Sequence, residues 1–250
     1  MISFTHKNVL ITGAGGGIGA ATAKLFHSAG ASVVLTDVNE QVLAPTVTAL
    51  SVEAGSTKRM LALPLDITDP VACHSVAKKA RDTFGAIDSV VNCAGIYVYR
   101  EGLLADLTQL QWRRMLSINL DGCFNLSQAV IPHLSNNSSI VLIASVAASR
   151  GSLMHSSYAA SKSGVIGLGR SLALELAPKT RVNTISPGLI NTQMASAMVA
   201  DRGDAVKDGI PLKRFGEAVE AAGVIAFLCS DLASYVNGET LNVNGGMYID

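Results

Sequence analysis

Tyr158 and Lys162 stand four positions apart in the stretch HSSYAASKSG, residues 155–164, with only alanine, serine and glycine close by. On a helix this spacing stacks the phenol and the ammonium on one face, one turn apart, with little bulk beside them to fill a core. A free phenol titrates near 10, about three units too high to exchange protons at neutral pH, a deficit of about 4 kcal/mol. One positive charge about 4 Å away at an effective dielectric of about 20 supplies roughly that amount. The spacing therefore predicts an acid/base couple in which Lys162 stabilises a Tyr158 phenolate, and small neighbours that let a cofactor and a substrate come close.

Such a pair needs a rigid frame. Short apolar runs rich in β-branched residues recur at 8–11, 32–36, 60–65, 89–92, 139–144, 181–185 and 240–244, and most are separated by stretches with helical spacing. Alternating strands and helices, with strands apolar on both faces, predict an α/β fold: a parallel sheet covered by helices on each side. No linker, charge run or repeat interrupts the pattern, so residues 1–250 are expected to form a single domain. The least regular stretch, about 191–216, mixes small, charged and methionine residues and is expected to be a mobile flap over a ligand.

The first strand runs directly into TGAGGGIG, Thr12 to Gly19, and then into a helix. Strand, tight glycine turn and helix is the context in which a backbone can approach a pyrophosphate that faces the helix N-terminus. Gly13, Gly16, Gly17, Ile18 and Gly19 are the candidate cofactor residues here. The second strand ends at Asp37, 18 residues beyond Gly19, where a carboxylate can hydrogen-bond an adenosine ribose. It would repel a 2′-phosphate, and Gly16, Val38 and Asn39 offer no cation to offset that. NAD is therefore expected in preference to NADP.

Trp112, Met115, Leu116, Leu120, Cys123, Leu126 and Val130 follow helical spacing, and Asn119 falls inside that apolar stripe. A buried amide is costly unless it is hydrogen-bonded, so Asn119 must have a partner. Ser145 closes the fifth strand, where its hydroxyl can meet a substrate oxygen as charge develops.

Reading the glycines as T-G-x3-G-x-G, together with Tyr158-x3-Lys162, the sequence resembles the short-chain dehydrogenase/reductase family. Further motifs follow in order: Asp66 with Ile67, NCAG at Asn92 to Gly95, Asn119, Ser145, and PGLINT at Pro187 to Thr192. The resemblance covers essentially the whole chain, and Cys93 is a small departure from the commoner N-N-A-G. It implies a seven-stranded doubly wound, Rossmann-type sheet, a homotetramer, and hydride transfer between nicotinamide and a carbonyl or alcohol.

Residue by residue, the resemblance implies that Asn119, Ser145, Tyr158 and Lys162 are catalytic. It assigns the adenine to Asp66 and Ile67, further cofactor contacts to Asn92, Ala94 and Gly95, the nicotinamide ribose to Lys162, and the carboxamide to Pro187, Gly188, Ile190 and Thr192. For Asn119 two partners stay open, a neighbouring backbone carbonyl or a water linking Lys162 to solvent, with the relay favoured. The motif set also resembles 3-oxoacyl thioester reductases, which usually take NADPH, and Asp37 weighs against that. A non-catalytic dinucleotide sensor is the third reading, and the retained Tyr158, Lys162, Ser145 and Asn119 weigh against it.

Composition narrows the partners. With 19 basic and 19 acidic residues the formal net charge is zero, so nothing points to nucleic acid or an anionic membrane. Cys73, Cys93, Cys123 and Cys229 are scattered, as are the five histidines, which fits buried thiols and no metal site. The N-terminus has no apolar leader, and no apolar run approaches the roughly 18 residues of a membrane span, so a cytoplasmic protein acting on a small alcohol or ketone is expected. Adjacency to the motifs makes Tyr97, Val146, Arg150, His155, Leu189, Met194 and Met198 candidate substrate-pocket residues, with Arg150 expected to be a solvated loop residue.

Overall fold

The computed structural model describes residues 2–54 and 58–249. Its strands are β1 (Asn8–Thr12), β2 (Ser32–Asp37), β3 (Met60–Pro64), β4 (Ile87–Asn92), β5 (Leu134–Ile143), β6 (Thr180–Pro187) and β7 (Thr240–Val243). All pair in parallel in one seven-stranded sheet of order β3-β2-β1-β4-β5-β6-β7. The direction of winding reverses between β1 and β4, and the crevice beyond the carboxyl ends of those strands is where open α/β sheets take ligands.

The helices are α1 (Gly17–Ser28), α2 (Glu40–Ala54), α3 (Pro70–Phe84), α4 (Gln109–Leu116), α5 (Gly122–Val130), α6 (Val146–Arg150), α7 (Ser156–Glu175), α8 (Ser196–Arg202) and α9 (Ala218–Cys229). Alternate strand residues feed two cores, as the two-residue period of a strand requires. Val9, Ile11, Val33, Leu35, Val91 and Val141 pack beneath α1, α2 and α9, whereas Leu10, Val34, Val90, Ile140 and Leu142 pack beneath α3, α5 and α7.

β5 begins at Leu134, before the apolar run from Ser139 that announced it. The intervening polar residues take up a register shift opposite Ile87 and Ser89, and Ser135 Oγ donates to Asp88 there at 3.0 Å. The apolar stripe around Asn119 is not one regular helix either. Residues Ser117–Asp121 form a π-helical turn between α4 and α5, and Asn119 lies inside it.

The stretch from 191 to 216 is more ordered than its composition suggests. It carries α8 between two 3₁₀ turns, and its ends are joined by a parallel bridge between Ile190 and Gly216. The Asn191 N–H donates to the Gly216 carbonyl at 2.8 Å and the Gly216 N–H to the Leu189 carbonyl at 3.0 Å. No helix among the described residues is long and apolar enough to cross a membrane.

Candidate active site

The glycine loop lies over the carboxyl ends of β1 and β4. Gly13 takes φ +63, and a Cβ there would stand 2.8 Å from the backbone of Cys93 and Ala94; at Gly19 a Cβ would stand 2.1 Å from the Gly13 carbonyl oxygen. Only glycine gives both the left-handed turn and the close approach. Gly16 caps α1 without any side-chain hydrogen bond, and no acidic side chain occupies the first turn. The first amides of α1 therefore keep their donor capacity for a phosphate. Ile18 is partly buried against the core beneath α1.

Asp37 ends β2 beside this loop. Its carboxylate accepts the Gly15 N–H at 3.0 Å and the Val38 N–H at 2.8 Å, which fixes it at the mouth of the crevice. Asp66 is exposed and accepts from both the N–H and the hydroxyl of Thr68. The Ile67 side chain is a packing element, buried against Gly122, and its carbonyl accepts from Asn125 Nδ2 at 3.0 Å, so its backbone N–H is the group left to face a nucleotide. Asn92 is likewise buried, and Thr12 donates to its Oδ1 at 2.5 Å, tying the ends of β1 and β4 together. The Ala94 N–H in turn donates to Thr12 Oγ1 at 3.3 Å.

Thr192 lies against the glycine loop: a Cβ at Gly17 would come within 2.2 Å of its Cγ2. Pro187 and Ile190 are buried and Gly188 abuts Asn244, so PGLINT forms the far wall of the same crevice. Uncapped amides, a fixed carboxylate and a glycine-lined approach make a donor and acceptor set that fits a dinucleotide.

The four candidate catalytic residues converge beyond the loop. Ser145 follows β5 and caps α6, its Oγ accepting the Ala147 N–H at 3.2 Å while also hydrogen-bonding Tyr158. Tyr158 and Lys162 sit one turn apart on α7, with the Lys162 Nζ 5.9 Å from the centroid of the Tyr158 ring. Lys162 is 5% exposed and donates to the Ile143 carbonyl at 2.8 Å.

Asn119 is satisfied by protein backbone. Its Oδ1 accepts the Ile96 N–H at 2.8 Å, and its Nδ2 donates to the Ile96 carbonyl at 3.0 Å and to Ser161 Oγ at 3.1 Å. Both backbone groups of Ile96 are thus partners of the side chain, which holds the loop after β4. Gly95 gives the space this needs, since a Cβ there would stand 3.1 Å from Asn119 Oδ1 and 3.3 Å from Lys162 Nζ.

Burial sets the electrostatics of the pair. Burial pushes the Tyr158 hydroxyl above the ordinary phenol range, and the hydrogen bond to Ser145 offsets part of this. The Lys162 ammonium stands 5.9 Å from the centre of the Tyr158 ring, where its charge favours the phenolate. Burial also pulls Lys162 down to about 8, against the pull of nearby Cys123 and Cys93. Without a bound ligand, Tyr158 is therefore a neutral proton donor at pH 7. The same burial raises Cys93 to about 12, and Cys73, Cys123 and Cys229 also lie above the ordinary thiol range, so none is an activated nucleophile.

Of the pocket candidates, Tyr97 packs edge-on against Tyr158 with centroids 5.1 Å apart and stacks on His155 at 4.8 Å. Val146 is buried beside Ser145, while Met194 is exposed and Met198 partly so on the flap. Leu189 lines a separate hollow of about 200 Å³ with Ile210, Leu212 and Arg214. Arg150 is exposed as expected, though at the end of α6 and not in a loop. Sequence reasoning missed Ile143, Ile96 and Ser161. The first two act through backbone atoms that no side-chain pattern reveals, but Ser161 stands next to Lys162 in YAASK.

A family model described as enoyl-(acyl carrier protein) reductase matches residues 13–248. The 3-oxoacyl-[acyl-carrier-protein] reductase FabG of Escherichia coli is 38% identical over 251 residues, covering 99% of this chain and 100% of the relative. The chain belongs to the short-chain dehydrogenase/reductase family. FabG of Thermotoga maritima is also 38% identical, over 97% of this chain and 98% of its own.

Solved members of the short-chain dehydrogenase/reductase family superpose closely. One from Brucella melitensis, titled a glucose/ribitol dehydrogenase, is 42% identical with a TM-score of 0.94, covering 100% of this chain and 99% of its own. Levodione reductase is 35% identical with a TM-score of 0.92, over 97% and 98% of the two chains. As a short-chain dehydrogenase/reductase, the protein is an oxidoreductase that binds a nicotinamide dinucleotide and acts between CH–OH and keto groups.

Proposed function

We propose that the protein interconverts a small secondary alcohol and its ketone with NAD(H), using Tyr158 as the acid/base. The observation that carries this is the convergence of Ser145, Tyr158 and Lys162 beside a glycine loop whose neighbouring carboxylate, Asp37, is fixed by two backbone N–H groups. Asp37 would hold the adenosine ribose hydroxyls, the first amides of α1 the pyrophosphate, and Ile190 and Thr192 the carboxamide end. The remaining cofactor contacts are assigned to Gly13, Gly16, Gly17, Ile18, Gly19, Asp66, the Ile67 backbone, Asn92, Ala94, Gly95, Pro187 and Gly188.

When bound, the dinucleotide supplies or accepts the hydride at its nicotinamide ring. Ser145 and Tyr158 present two hydroxyls to one substrate oxygen, binding it more strongly as it gains negative charge. In reduction Tyr158 passes its proton to that oxygen. Lys162, depressed to about 8, is matched to returning a proton near neutral pH and to holding the nicotinamide ribose. Asn119 keeps the loop that carries Gly95 in register with Lys162.

A second reading, reduction of a 3-oxoacyl thioester, is favoured by the 38% identity to FabG proteins and opposed by Asp37. Residues 1–250 are proposed to act as one catalytic domain, with 191–216 as the substrate flap, in a cytoplasmic homotetramer, as the family resemblance implies. NADH and NADPH are to be compared as donors across ketones and 3-oxoacyl thioesters, monitored by reduced-nicotinamide absorbance. Tyr158→Phe should lower kcat by about 10²- to 10⁴-fold while leaving NADH binding intact. Unchanged turnover in that variant would remove the acid/base role.

A further inference from the structure

We propose that His155 is a positioning residue, a neutral imidazole that fixes the Tyr97 ring against Tyr158 and pins the loop to which the flap is latched. It rests on the acid/base role of Tyr158 proposed above.

His155 precedes α7 and is 7% exposed. Its Nε2 accepts the Arg100 backbone N–H at 3.1 Å and lies 2.9 Å from the Tyr97 hydroxyl, while its Nδ1 lies 3.1 Å from Ser152 Oγ. A backbone N–H can only donate, so Nε2 must be the unprotonated nitrogen and the ring proton sits on Nδ1, facing Ser152. The imidazole stacks on Tyr97 with an interplanar angle of 28°, and Tyr97 meets Tyr158 nearly edge-on at 73°. One ring thus sets the orientation of the next, ending on the phenol that moves the proton.

The other branch leads to the flap. Arg100 is held at φ +53, a left-handed conformation that a side-chain-bearing residue adopts only when its surroundings hold it there. His155 supplies the acceptor for its N–H. From this bend the Arg100 guanidinium donates to Asp201 on α8 at 2.8 Å, and the Tyr99 hydroxyl donates to the same carboxylate oxygen at 2.6 Å. The guanidinium also lies over the Tyr99 ring.

Protonating Nε2 would set its N–H against that of Arg100 and release the loop, while Tyr97 Oη would have to turn from donor to acceptor. The charged and titratable groups around the imidazole are few. Glu101, which also accepts from Ser157 Oγ, favours the protonated form. The Arg100 guanidinium is committed to Asp201, and burial raises Tyr97 and Tyr158 above the ordinary phenol range, so both are neutral at pH 7. Burial outweighs both the backbone hydrogen bond at Leu153 and the charge of Glu101 and holds the imidazole below its ordinary range, so it is neutral at pH 7.

The experiment is a kcat and KM profile from mildly acidic to neutral pH for the wild type, H155Q, H155A and Tyr158→Phe, with thermal melts to confirm folding. The wild-type kcat/KM should fall on the acid side as His155 takes up a proton. H155Q, whose amide oxygen accepts the Arg100 N–H but cannot titrate, should lose that acid limb and stay within about tenfold of wild type at pH 7. H155A strands the Arg100 N–H and should lower kcat/KM at pH 7 by about tenfold or more, with a raised KM as the flap loosens.

The inference falls if H155Q keeps the acid limb unchanged, or if a folded H155A stays within about twofold of wild type. H155Q alone decides it if H155A does not fold. A fully active Tyr158→Phe would overturn the reading of the site itself, whereas an inactive Tyr158→Phe beside an unchanged H155Q profile would overturn only the role of His155.

Discussion

Asp37→Asn isolates a single charge. The side chain keeps its size and one oxygen, so it can still accept a backbone N–H where Asp37 now accepts from Gly15 and Val38. What disappears is the repulsion between a carboxylate and a 2′-phosphate of charge about −1.5 to −2. At about 4.5 Å and an intermediate dielectric of about 40, that repulsion is about 3 kcal/mol, which corresponds to roughly two hundredfold in binding. NAD loses charge-assisted bonds to its ribose hydroxyls, worth about 1.5–3 kcal/mol, so its affinity should fall by at least about tenfold. The assay is kcat/KM for NADH and NADPH on one ketone, for both proteins. The wild type should prefer NADH, and the ratio should move towards NADPH by two orders of magnitude or more. A wild type that prefers NADPH, or a ratio that moves less than about threefold, would refute the electrostatic reasoning.

The remaining predictions concern the lysine and its neighbour. Lys162 falls from 10.5 unfolded to about 8 folded, so between those values the unfolded chain binds more protons and stability must rise with pH. The penalty of burying the cation is fully present below about pH 8 and is relieved by pH 10.5, a swing of about 3 kcal/mol. Denaturant unfolding of wild type and Lys162→Met across that window should show the wild type gaining on the variant as pH rises; parallel curves would contradict it. Gly95→Ala puts a methyl 3.3 Å from Lys162 Nζ and 3.1 Å from Asn119 Oδ1, so kcat should drop by about tenfold with a melting shift of only a few degrees. A normal kcat would show that the lysine tolerates displacement.

The fold was legible because the central strands β1, β2, β4 and β6 are short, rich in β-branched residues and largely buried, and every apolar run, including those of the partly exposed edge strands β3 and β7, located a real strand. What escaped notice is physical in kind. Ser135–Ser138 are polar and carry the register shift of β5, so no apolar signal marked the true start at Leu134. The stripe through Asn119 read as an ordinary helix because a single π turn adds one residue without altering which types are apolar.

Within the site, side-chain identities and order were readable, but their partners were not. Lys162 is held by the Ile143 carbonyl and Asn119 by both backbone groups of Ile96, and main-chain atoms leave no trace in composition. The burial of the phenol had the same fate. Four residues of spacing put the ammonium beside the ring without showing how deeply the hydroxyl is buried, and burial is the largest influence on the proton affinity of Tyr158.

The bridge between Ile190 and Gly216 brings the two ends of the flap together where they leave the sheet. A segment anchored that way can change length at small entropic cost, about 0.6 kcal/mol for each doubling. Among the described residues between the anchors none contributes a strand or an acid/base group, and Thr192 packs on the glycine loop, so the part of the insert beyond Thr192 can be exchanged for another while the dinucleotide cradle and the tyrosine stay as they are. With the insert as the substrate flap proposed above, a chimera carrying a relative's insert should change the range of alcohols accepted and leave the dinucleotide preference as it is.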